Sequence, residues 1–405
     1  MSFMTVLTMI GKILVAVLAF GLIIFIHEFG HFIVARMCGV QVNEFAIGMG
    51  PRLFAVRGRL PKKMRRAMTD EQYEAFLAER DAYLARRKEE KKQRGRKKQE
   101  EDGEEAEPYF GTVYSVRAFP VGGFCAMEGE DADDDTADNP NAFDRTPVWQ
   151  RMLMSLAGCF MNLVLGLVLL TGLAGQQELI GTNQVAVFDR NATSNAAGGL
   201  MVGDKILKVN SNRVLISNDI FYNMMRDQDG KVDFLVDRGG KEVQLRDVPF
   251  RTEEKDGVHY IQFDFKIRGV KNNVGLTLKE ACLNTVCYVR QVIYTLFDLI
   301  TGSIPMTALS GPVGVISAVT ESVSVDLLPL LNLLALLTVN IGVFNLFPIP
   351  PLDGSLFVIL LVEAVIRRPV PKKVRMVIQI IGVVLMLSLV LFVTYADIKR
   401  IFFGG

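Results

Sequence analysis

The chain has 405 residues, half of them hydrophobic, and a formal net charge of +1. A mean hydropathy of +0.28 suits a membrane protein better than a soluble enzyme, and the length allows two or three structural units. Balanced charge gives no reason to expect a nucleic-acid partner, and five cysteines, an odd number, build no disulfide framework.

Four apolar stretches are long enough to cross a hydrocarbon core of ~30 Å. The first runs from Phe3 to about Ala35 and contains His27-Glu28-Phe29-Gly30-His31. Histidines four apart share one face of a helix, so both can reach one metal ion with Glu28 beside it. Polar groups there are costly in hydrocarbon unless something compensates, and Zn²⁺ would do so. The plainer alternative is a polar cluster satisfied by neighbouring helices. The stretch lacks the basic start of a signal peptide, so it is expected to be retained.

After it, residues 42–51 are glycine-rich and mildly apolar and read as an extended or re-entrant segment, closing a unit at about residue 58. Residues 59–108 form a charged helical insertion, and 17 basic and 13 acidic side chains lie between Arg52 and Glu107. The insertion is either a solvated element without chemistry or a basic surface touching anionic lipid. Residues 109–127 suggest a membrane-associated β-hairpin. Its Val113, Tyr114, Val116 and Phe119 alternate between Gly111 and Gly122-Gly123 and leave an edge to which an unwound substrate could add a strand.

An acidic linker and the second span, Met152 to Leu173, fill residues 128–175. Residues 181–267 form a mixed α+β module with short β-like runs and one helical stretch, Asn218 to Arg226. Residues 268–326 read as a linker with amphipathic character. The third span begins near Leu327 and runs beyond Phe347, and the fourth is Val374 to Val393.

Basic residues follow the first span (Arg36, Arg52, Arg57) and separate the third from the fourth (Arg367, Arg368, Lys372, Lys373, Arg375). By the positive-inside rule these loops and the charged insertion are cytoplasmic. The N-terminus, the 181–267 module and the C-terminus are then extracytoplasmic. The expected fold is a polytopic α-helical membrane protein with about four transmembrane helices, in the inner or plasma membrane.

Catalytic zinc usually has three protein ligands and a water. The remaining histidine, His259, lies in the extracytoplasmic module, which makes a carboxylate the better candidate. Asp353 stands inside an apolar stretch interrupted by Pro348, Pro350 and Pro351. A plain helix N-cap is its alternative role. Counting ~1.5 Å per residue, His27 lies ~13 Å below Arg36 but Asp353 ~20 Å below Arg367, a mismatch that demands unwinding, tilt or an interfacial segment.

Several segments together resemble the site-2 protease family of intramembrane zinc metalloproteases, nearest to its bacterial RseP-like branch. They are the H-E-F-G-H helix, Asn345-Leu346-Phe347-Pro348-Ile349-Pro350-Pro351-Leu352-Asp353-Gly354, Phe119-Pro120-Val121-Gly122-Gly123-Phe124, Ser310-Gly311-Pro312-Val313-Gly314, and a module whose Ala196 to Asn210 resembles the PDZ signature. The resemblance covers nearly the whole chain except roughly Arg59 to Glu107. It implies Zn²⁺ held by His27, His31 and Asp353, with Glu28 as catalytic acid/base. Asn345 would, by the resemblance, help hold substrate; by their own strand-like pattern Val113, Val116, Phe119, Gly122 and Gly123 are the further candidates for substrate contact.

It further implies cleavage of single-span membrane proteins, anti-sigma factors or signal-peptide remnants among them. The module is expected to be a single PDZ-like domain where some relatives have two. Cys159 stands where the pattern A-G-P-x-x-N has proline. The rivals from other classes are a non-catalytic membrane scaffold bearing a PDZ-like domain and a zinc transporter or store. Neither oligomeric state nor the natural substrate is legible.

Overall fold

The computed structural model describes residues 3–94, 109–130, 139–227, 229–255, 258–302, 311, 314–315, 317, 319–320 and 327–403. The acidic parts of the linker (131–138) and of the insertion (100–107), and most of the Ser310–Gly314 motif, lie outside them. The chain divides into two compact units. One comprises residues 1–162 and 344–387, the other residues 163–343 and 388–405.

In the first unit, α1 (Phe3–Cys38) is a single 36-residue helix carrying no acidic residue in its first turn and Arg36 in its last. Strand β1 (Val42–Arg57) follows, then α2 (Lys62–Ala67), α3 (Asp70–Arg94) and β2 (Val113–Met127). Both strands double back. Residues 42–47 face 127–123, and residues 52–57 face 117–113. Between these pairs, Glu44 to Ile47 also face Val113 to Val116 in matching order. The sheet therefore has four segments, ordered 123–127, 42–47, 113–116, 52–57.

The expected hairpin is thus corrected: the arms of β2 do not pair with each other, because β1 threads between them. Val113 and Val116 are interior, paired on both sides, and are not an edge. The folding-back needs Gly48, at φ +85°, where a side chain would meet the Phe119 carbonyl. Buried Glu44 holds the arms together, bonded by Arg52, by Ser115 Oγ at 2.5 Å and by Arg117 at 2.9 Å. Beside the sheet, Phe76 and Tyr83 of α3 pack on Phe110, with ring centroids 5.6 and 5.5 Å away.

Helix α4 (Val148–Gly175) begins in this unit and continues into the second. The stretch expected to hold the third span breaks in two. Helix α7 (Leu327–Phe344) ends before the prolines, and α8 (Asp353–Ile366) restarts after them. At 14 residues α8 is too short to be a span of its own. Helix α9 (Lys372–Phe403) completes the chain. A buried ion pair, Arg151 to Glu363 at 3.1 Å, ties the start of α4 to the end of α8. Ala35, Val42, Phe45, Met127, Phe143, Met154 and Leu360 form the apolar core that brings α1, the sheet, α4 and α8 together.

The second unit contains β3 (Leu179–Phe188), β4 (Lys205–Val209), β5 (Asn212–Arg213), α5 (Ser217–Met225), β6 (Lys231–Arg238), β7 (Lys241–Pro249), β8 (Thr252–Lys255), β9 (Val258–Ile261) and β10 (Phe265–Lys271). Its sheet runs β10-β3-β4-β6-β7, with β5 on β4. β9 ends at Ile261 and β10 begins at Phe265. The Gly203-Asp204 turn leads into β4, and Asp204 pairs with Arg238 at 2.7 Å while accepting the Met201 N–H. Helix α6 (Val274–Ile300) docks on α5 through Arg290 with Asp219 and Arg226 with Asp298.

Among the described residues, four helices are long and apolar enough to cross a membrane: Leu14–Cys38, Val148–Gly175, Leu327–Phe344 and Lys372–Lys399. With the sheet-containing region between the second and third of them, this is the architecture of a membrane protein with an inserted domain.

Candidate metal centre

Helical spacing in α1 brings His27 and His31 onto one face, their Nε2 atoms 3.3 Å apart. Both are buried, at 6% and 7% exposure. Asp353 opens α8, and the Gly354 N–H returns to the Asn345 carbonyl at 2.7 Å, which closes the proline loop. That turn aims the carboxylate at the histidines. Its Oδ2 lies 2.9 Å from His27 Nε2 and 3.3 Å from His31 Nε2. α7 and α8 are separate helices, and the loop between them carries Asp353 to the histidines.

Two imidazole nitrogens and one carboxylate oxygen, all within 4.8 Å of one another, are a donor set that suits Zn²⁺. Among the described residues they form the only such group. The rings are turned as zinc requires. His31 Nδ1 donates to the Met154 carbonyl at 2.7 Å, and His27 Nδ1 lies 3.3 Å from the Asn162 amide, so both Nε2 atoms face inward. Close approach of α4 depends on Gly158, where a Cβ would fall 2.7 Å from His27 Nε2 and nearer still to His31 Nε2. The chemistry and the space of the site fit a zinc ion.

Glu28 is half-buried between this triad and the sheet, and its carboxylate accepts the Cys125 backbone N–H. His31, His27 and Asp353 all act on it electrostatically. Asn345 Nδ2 sits 3.4 Å from His27 Nε2, at the rim of the triad. Of the expected strand residues, Gly123 reaches the site, since a Cβ there would lie 3.8 Å from Glu28 Cγ. Gly122 is in the bend beside Met49 and Ile24. Val113 and Val116 are inside the sheet, and Phe119 is at its tip, 61% exposed.

Sequence reasoning missed three contacts: Cys125 with Glu28, Asn162 with His27, and Cys159 with Asp353. The signal for the last two was present in Gly158, Cys159 and Asn162, small and polar residues in an apolar helix. Without the fold, such residues in an apolar helix signal no more than close packing on a neighbour. α4 runs unbroken through Cys159, so the missing proline does not disturb it.

Residues 15–62 and 106–389 match Peptidase family M50. The residues between these two segments, α3 among them, are outside the match. A Clostridium perfringens protein named as a zinc metalloprotease is 30% identical over 387 residues, covering 95% of this chain and 98% of its own. A Fusobacterium nucleatum protein also named as a zinc metalloprotease is 28% identical, covering 96% and 99%. The regulator of sigma-W protease RasP of Bacillus subtilis is 26% identical, covering 97% and 99%.

Proposed function

Because the chain belongs to Peptidase family M50 and is a zinc metalloprotease of the site-2 type, we propose that it performs regulated proteolysis of single-span membrane proteins, with His27, His31 and Asp353 as its zinc ligands and Glu28 as its general base. The observation that carries this reading is the convergence of two imidazoles and one carboxylate from helices 322 residues apart in sequence, Asp353 against His31, with Glu28 at their side. The similarity to zinc metalloproteases favours this reading over the scaffold and transporter readings. A relative named as a regulator of sigma-W protease supports substrates of the anti-sigma-factor type, with signal-peptide remnants as a further class.

Zinc, when bound, supplies the Lewis acidity that makes a water nucleophilic near neutral pH. Glu28 takes the proton of the attacking water and passes it to the leaving amine. The Cys125 N–H holds the Glu28 carboxylate in place for both transfers. Asn345, at the rim, holds the substrate backbone by its amide. Segment 123–127, the sheet edge beside Glu28, takes the extended substrate as an added strand.

In this reading the 181–267 region is a PDZ-like domain on the extracytoplasmic side and filters substrates by size or by an exposed C-terminus. The insertion is cytoplasmic. The test is Glu28→Gln in purified enzyme with a single-span substrate. Cleavage should fall at least ~10²-fold with zinc content unchanged. Turnover at the wild-type rate would remove Glu28 from the mechanism.

A further inference from the structure

Each of the three metal-binding side chains meets a residue of α4. His31 Nδ1 donates to the Met154 carbonyl at 2.7 Å. The Asn162 side-chain amide is 3.3 Å from His27 Nδ1. The Cys159 thiol donates to Asp353 Oδ2 across 3.7 Å. Residues 154, 158 and 162 are four apart and share a helix face, with 159 adjoining it. Gly158 lets that face come against the imidazoles. Asn162 and Cys159 are 0% and 1% exposed, so both are committed to contacts inside the protein. Hydrolysis by the proposed route uses neither.

The physical need for them is specific. A histidine that offers Nε2 to a metal must carry its proton on Nδ1, and that proton needs an acceptor. For His31 the acceptor is a backbone carbonyl, which no substitution removes. For His27 it is a side chain: with its amide turned so that Oδ1 faces the ring, Asn162 accepts the Nδ1–H. A carboxylate rotates broadly about its terminal torsion, so Asp353 needs a donor to settle which oxygen faces the histidines. The thiol bonds the same oxygen, Oδ2, that lies nearest both rings.

We propose that Asn162 and Cys159 are positioning residues of the metal centre. Asn162 holds His27 in its Nδ1–H tautomer, and Cys159 orients the Asp353 carboxylate, so that α4 aligns all three ligands without touching the ion. This rests on the reading that His27, His31 and Asp353 hold zinc.

The test uses the full-length protein in detergent, with zinc affinity measured by competition against a chromophoric chelator and the ligand field read from cobalt(II) absorption. Asn162→Ala should weaken zinc binding by about 10- to 100-fold, the usual effect of removing such a partner. Asn162→Asp, which keeps an acceptor, should stay near wild type. If Asn162→Ala does not fold, Asn162→Leu removes the acceptor at similar volume and reads the same quantity. Cys159→Ala should shift the cobalt bands and weaken zinc, and Cys159→Ser should restore both. Metal-free melting temperatures should be the same throughout, since the role is in aligning ligands rather than in holding the helices. Wild-type affinities and spectra in Asn162→Ala and Cys159→Ala, with Asp353→Ala having lost its metal, would overturn the inference and leave the zinc reading standing. Undiminished affinity in Asp353→Ala would instead remove the reading beneath it.

Discussion

Gly158 shows how much can depend on an absent side chain. Alanine there would improve the intrinsic helix preference of α4 by about 1 kcal/mol. Its Cβ would nevertheless lie within 2.7 Å of His27 Nε2 and collide with both imidazoles. Gly158→Ala is therefore expected to lower zinc content sharply although every donor atom remains, measured by metal analysis of the purified protein. Stoichiometric zinc in that variant would mean that the rings can retreat. The H-E-x-x-H spacing and the isolated Asp353 were legible because each is an ionisable or polar group in an apolar run. Gly158 was not, because a glycine reveals its role only when its neighbours in space are known.

The β1–β2 sheet is where local pattern and tertiary pairing part company. Alternation around Val116 was legible as strand, but alternation does not say which strand lies alongside. In the fold, Val116 pairs with Ile47 on one side and Phe54 on the other. Val116→Pro removes a donor inside the sheet and is expected to cost roughly 1–3 kcal/mol by leaving its acceptor unsatisfied, seen as a lower melting temperature. An unchanged melting temperature with slowed cleavage would return Val116 to an edge. The substrate-facing edge is expected at 123–127 instead. With Glu28→Gln to trap substrate, Ala126→Cys should crosslink to a cysteine near the scissile bond, whereas Phe54→Cys on the far edge of the sheet should not. Equal crosslinking at both positions would argue against strand addition beside Glu28.

At the scale of the molecule, the sheet-containing module and the metal centre belong to different compact units. His27, His31 and Asp353, the candidate metal-binding side chains, lie in the first with Glu28 and the sheet edge, and β3 to β10 lie in the second. The ion pairs from α5 to α6 keep the module's own polar anchoring within that second unit. Deleting residues 181–267 is expected to leave zinc content and cleavage of a short model substrate intact, while substrates with bulky outer domains become cleavable. Loss of short-substrate activity in a folded, zinc-loaded deletion variant would show that the module shares in catalysis.

By itself the sequence determined the four apolar helices, the helical face shared by His27 and His31, and Asp353 as the carboxylate candidate to join them. Each of these follows from spacing along one helix or from the cost of a polar group among apolar neighbours, and both are local properties. Only the tertiary structure decided that the strands interlace, that the broken α7–α8 segment carries Asp353 to the histidines, and that α4 contacts all three of these side chains. Those depend on contacts between residues tens to hundreds of positions apart, for which side-chain periodicity contains no address.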